Sequence, residues 1–120
     1  DATSAQQAHE RQKPFIEAQM KYYVEAAETV AQIPRTSDVA QRDKLIKRFW
    51  ELYWGPLAVV EDRGVSQAMV EYGNQINADP KADGKLQNLA IKVAHACRDS
   101  LKQLWVQQLG DVTAIRPPAK

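Results

Sequence analysis

At 120 residues the chain has the length of one domain, and its 44% hydrophobic and 26% charged content is that of an ordinary globular protein. Sixteen basic residues against fifteen acidic leave a net charge of +1, which gives no electrostatic footprint for nucleic acid. The longest apolar run, residues 52–60, is about half a membrane span and is broken by Gly55 and Pro56, and the single Cys97 excludes an internal disulfide.

Residues 1–13, DATSAQQAHERQK, are polar and lack a clean apolar stripe, so they have helical propensity but are expected to fray or serve as a linker. A chain beginning at Asp1 rather than Met is expected to have lost something upstream. Pro14 suits the first turn of a helix, and from there to Ile33 one face carries Phe15, Ile16, Tyr22, Tyr23, Ala26, Ala27, Val30 and Ile33. Pro34 stops that helix. Asp38 with Gln41 three residues on reads as a capping box opening a second helix from Val39 toward Trp54.

That second helix holds the stretch KLIKRFWELYWGPLAVV, residues 44–60, where large apolar side chains fill an arc of about 200° on a helical wheel. An arc of that width touches several neighbours, which makes this element the expected centre of the core. Gly55-Pro56 predicts a kink, because proline lacks the amide donor and crowds the carbonyl four residues earlier. After a short turn to Val60, the polar link Glu61–Gly64 offers Asp62 as the cap of a third helix with the stripe Val65, Ala68, Met69, Tyr72 and Ile76.

Residues 77–84, NADPKADG, have loop chemistry, and Leu86, Leu89, Ala90, Val93, Cys97, Leu101 and Leu104 then mark a fourth helix ended by Gly110. Residues 111–120 read as a flexible tail. With no strand alternation and short links, the fold expected of residues 14–110 is all-α: an antiparallel up-and-down four-helix bundle with its second helix kinked at Gly55-Pro56.

Catalytic and cofactor motifs fail on spacing. The glycines form no phosphate-cradling loop, and His9-Glu10 is followed by Lys13 where a zincin needs its second histidine. Gln6 and Lys92 stand three residues before His9 and His95, so the Glu-x-x-His pairs of a di-iron bundle are missing. His95 and Cys97 project to opposite sides of the fourth helix, and only Asp99 is placed to reach His95. The expectation is a non-enzymatic chain with no cofactor and no metal, in which Cys97 packs in the core and His95 is solvated.

Two constellations stay open. Trp50, Tyr53, Trp54 and Trp105 are core aromatics, or else an interface or ligand cleft where the wide arc outruns its partners. Glu61, Asp62 and Arg98 are ordinary caps and surface charges, or else a partly buried ion pair drawing the kinked helix end onto the fourth helix.

The blocks FWELYWGPLAVVED and VSQAMVEYG, the later HACRDSL and the early RQKPFIEAQMKYYVEAAETVA resemble a family of uncharacterised bacterial proteins over residues 11–106. In that family an N-terminal membrane anchor precedes a helical-bundle domain. The resemblance implies an anchor upstream of Asp1 and association with the inner membrane, and it brings no substrate, cofactor or catalytic residue. Arg11, Lys13 and Lys21 would then suit the cytoplasmic side. The function expected is interaction with an unknown protein partner or with itself; the alternative is a sensor or carrier of an apolar small molecule in an aromatic cleft by Trp50, Trp54 and Gly55-Pro56.

Overall fold

The computed structural model describes the backbone of residues 2–110 and the side chains of residues 13–104 and 106, so the predicted tail at 111–120 and the side chain of Trp105 lie outside the described residues. All regular structure in that span is helical: α1 (Ala2–Gln32), a 3-10 turn (Ile33–Arg35), α2 (Val39–Trp54), α3 (Pro56–Val60), α4 (Arg63–Ala78) and α5 (Asp83–Gly110). α2 and α3 are one helix bent at Gly55, so four helices form the bundle. Contacts across it show that successive helices run in opposite directions. Arg42 near the start of α2 meets Asp83 at the start of α5, and Tyr72 late in α4 meets Val30 late in α1. At the other end Tyr23 joins Val60, Asp62 and Ser100.

The bends and ends follow from backbone hydrogen bonds that proline removes. Pro34 has no N–H for the carbonyl of Val30, and the Tyr72 hydroxyl donates to that carbonyl instead, at 2.8 Å. Thr36 serves the last turn, its hydroxyl donating to the Gln32 carbonyl at 2.7 Å and its N–H to that of Ile33 at 3.3 Å. At Gly55 a Cβ would lie 2.8 Å from the Glu51 carbonyl oxygen, an approach only glycine permits where α2 gives way to α3. Asp38 and Asp62 cap α2 and α4, accepting from the amides of Gln41 and Val65 at 3.0 Å each.

One helix start differs from expectation. α1 begins at Ala2, with Pro14 inside it. Pro14 is exposed, so the carbonyl it leaves without a donor can be served by water, and the residues before it are good helix formers. The loop expected at residues 77–84 is also shorter, because α4 runs to Ala78 and α5 opens at Asp83.

The core gathers Tyr23, Val30 and Ile33 with Phe49, Leu52 and Leu57, closed by Met69 and Tyr72 from α4 and Leu86 and Val93 from α5. Around it Arg48 of α2 reaches Glu25 of α1 at 2.6 Å, holding that carboxyl below its usual range chiefly through this hydrogen bond. No helix of the described residues is long and apolar enough to cross a membrane.

Candidate functional site

Glu61, Asp62 and Arg98 do not come together. Arg98 is exposed, and its guanidinium pairs at 3.1 Å with Asp99, its neighbour in sequence and also exposed. The expected ion pair fails because Ala94, one turn before Arg98 on α5, is exposed like Arg98 itself, so no apolar flank carries the arginine stem inward. The buried line of α5 runs instead through Ala90, Val93, Cys97 and Ser100. The same pairing takes Asp99, the residue spaced to reach His95, to Arg98. A solvated pair of this kind contributes about 1 kcal/mol or less.

Hydroxyl and amide groups occupy the place intended for the guanidinium. α3 ends at Val60 with an unpaired carbonyl, and the Nε2 of Gln19 donates to it at 2.7 Å. The Asp62 N–H, also free of the helix, donates at 3.2 Å to the hydroxyl of Tyr23. That hydroxyl also receives Gln19 Nε2 at 3.1 Å and stands 3.0 Å from Ser100 Oγ. Gln19, Tyr23 and Ser100 are all nearly inaccessible, at 6, 1 and 7% exposure. Side chains of α1 thus satisfy the backbone of the α3–α4 link, with Ser100 of α5 bonded to the Tyr23 hydroxyl, and burial raises that hydroxyl above its ordinary pKa.

Glu61 lies half-buried beside this knot, and burial raises its carboxyl above the ordinary 4.5, partly offset by a hydrogen bond with Ser66. A folded-state pKa above the unfolded one means that the folded chain holds the extra proton, so stability falls as pH rises from about 4.5. Glu61→Gln removes the titrating carboxyl and with it that pH dependence. Its melting temperature is expected to fall less than that of the parent chain between pH 4 and pH 7, measured by circular dichroism.

Cys97 sits in the core below Tyr23, 5% exposed, its thiol pushed up to about 12 by burial first and by Asp62 and Glu61 second. A thiol so placed is a poor nucleophile. It is expected to resist an aromatic disulfide reagent in native buffer and to react fully in denaturant. Rapid native labelling would mean that α5 is rotated from this register. His95 is exposed on the other side of the helix.

The aromatics form a ladder from core to solvent. Phe49 and Tyr72, both fully buried, lie 5.1 Å apart between ring centres. Phe49 meets half-buried Trp50 edge-on at 4.9 Å, Trp50 meets Tyr53 at 5.2 Å, and Tyr53 meets Trp54 at 4.8 Å. Trp54, at the end, is 75% exposed. Trp50 and Tyr53 thus form a wall of edge-on rings between Phe49 and Trp54.

Gly73 of α4 makes that wall possible. A Cβ there would lie 2.9 Å from one carbon of the Trp50 ring and 3.3 Å from another. Gly73→Ala is expected to destabilise by about 1 kcal/mol, since overpacking of about 2 kcal/mol outweighs a helix-propensity gain of about 1 kcal/mol. Adding Trp50→Leu should restore part of the loss in denaturant melts; equal losses in both backgrounds would separate the two residues.

No protein-family model, curated protein or solved structure matches the chain.

Proposed function

We propose that this bundle is a non-enzymatic interaction domain that associates with a second copy of itself through the surface at the Gly55-Pro56 bend. The observation that carries the reading is the exposure of Trp54 and Val59, each 75% accessible, on either side of that bend. Ala58 is exposed between them. An isolated exposed aliphatic residue is ordinary, but tryptophan is the residue most enriched at binding hot spots. Its ring meets that of Tyr53 edge-on at 4.8 Å and is otherwise open to a partner. An anchored accessory role at the cytoplasmic face of the inner membrane rests on the sequence resemblance alone, and the interaction reading does not depend on it.

Light scattering behind size exclusion, from low to high micromolar loading, tests the reading with the parent chain and with Trp54→Ser/Val59→Ser. The parent is expected to gain mass with concentration and the variant to stay monomeric with an unchanged melting temperature. A parent that remains monomeric throughout, or a variant that associates as strongly, overturns it.

A further inference from the structure

The donors and acceptors of the Gln19–Tyr23–Ser100 knot do not balance. The phenolic oxygen of Tyr23 accepts from two N–H groups, those of Gln19 and Asp62, which fills its two lone-pair directions. Its own proton goes to Ser100 Oγ at 3.0 Å, because Val60 O is farther, at 3.4 Å, and already takes Gln19 at 2.7 Å. Were Ser100 the donor, the phenolic oxygen would have to accept three protons. Ser100 therefore keeps a hydroxyl proton of its own, and among the described residues it makes no hydrogen bond besides that with Tyr23.

Gln19 carries the complementary deficit. Its Oε1 is buried without a hydrogen-bond partner. Reversing the amide does not help, since it would set an oxygen against the Val60 carbonyl where Nε2 now donates at 2.7 Å. One spare donor and one spare acceptor thus belong to side chains that both bond the same phenolic oxygen, Gln19 Nε2 at 3.1 Å and Ser100 Oγ at 3.0 Å. Leaving either unpaired in the interior is costly, and buried polar groups in native proteins are met almost without exception.

We infer that the knot is a binding site for a single water molecule that accepts the Ser100 hydroxyl proton and donates to Gln19 Oε1. Water matches the deficit because it supplies one acceptor and one donor at once, and two polar partners meet the minimum for a buried water. The bound water joins α1 to α5 beside the α3–α4 link, so all three segments meet in one hydrogen-bonded cluster.

A crystal structure of the full chain that shows ordered solvent is the direct test. One water within hydrogen-bond distance of both Gln19 Oε1 and Ser100 Oγ is the expected result. Absence of such a water, or a protein donor on Gln19 Oε1, overturns the inference. Magnetic relaxation dispersion of oxygen-17 water gives a second readout in solution. The parent chain is expected to hold one more long-lived water than Ser100→Ala, which removes the hydroxyl while leaving the amide bonds of Tyr23 in place. Equal counts in the two chains would also overturn it.

Discussion

Phe49→Ala is expected to lower the unfolding free energy by about 4 kcal/mol, the largest loss of any single truncation in this bundle. Phe49 is fully buried and is the ring on which the ladder is built, touching Trp50 at 4.9 Å, Tyr53 at 5.9 Å and Tyr72 at 5.1 Å between centres. Its removal loses the transfer free energy of the ring and leaves a cavity that three edge-on or tilted aromatics, one of them hydrogen-bonded to Val30, cannot readily fill. Trp54→Ala removes a larger ring from a site 75% open to water and is expected to change stability by at most about 0.5 kcal/mol. Guanidinium melts of the two variants, with the slope of the transition compared for each, measure the contrast. Similar losses would mean that the ladder is not anchored at Phe49.

The second large effect belongs to one oxygen atom. Tyr23→Phe keeps the ring but is expected to destabilise by about 3 kcal/mol, because it takes the acceptor from the buried Gln19 Nε2 and from the part-buried Asp62 amide together. Tyr22→Phe, on a half-buried neighbour with no hydrogen bond from its hydroxyl among the described residues, is expected to cost less than about 0.5 kcal/mol. The alkaline limb carries an independent signature. With the folded-state pKa of Tyr23 raised above the ordinary 10.0, the folded chain retains a proton that the unfolded chain releases, and stability falls as pH rises past about 10. Tyr23→Phe should flatten that fall, and an unchanged alkaline slope would place the titration elsewhere.

Much of this architecture is legible in the residues. The 3.6-residue stripes of α4 and α5, the caps at Asp38 and Asp62, the stop at Pro34 and the bend at Gly55-Pro56 are local features, and the fold keeps all of them. The buried position of Cys97 is legible in the same way. What misled was polarity on a buried line. Gln19 stands four residues before Tyr23, and Ser100 three after Cys97, so both continue inward stripes. Being polar, neither was counted in those apolar stripes, so the knot went unread, whereas Arg98, a polar residue expected to be partly buried, stands in solvent with Asp99. Phe15, assigned to the inner face of α1, is 47% exposed, because α1 is 31 residues long and α2 only 16. Relative helix length is a property of the assembly, which a periodicity cannot report.

Arg42 bears on where any recognition by this molecule can reside. Only 14% of its side chain is accessible, and its guanidinium donates to the Thr36 carbonyl, the Pro80 carbonyl and the Asp83 carboxylate. One side chain thereby fastens the α1–α2 link to the α4–α5 link, while at the opposite end the α3–α4 link is held by Gln19 and Tyr23. In most proteins the connecting segments are the variable parts and carry the contacts that distinguish one relative from another. Here each connection is a few residues long and its backbone is already committed to hydrogen bonds, so an insertion in any of them would unfasten one end of the bundle. New specificity in such a chain has to be written on helix faces, by substitution rather than by lengthening.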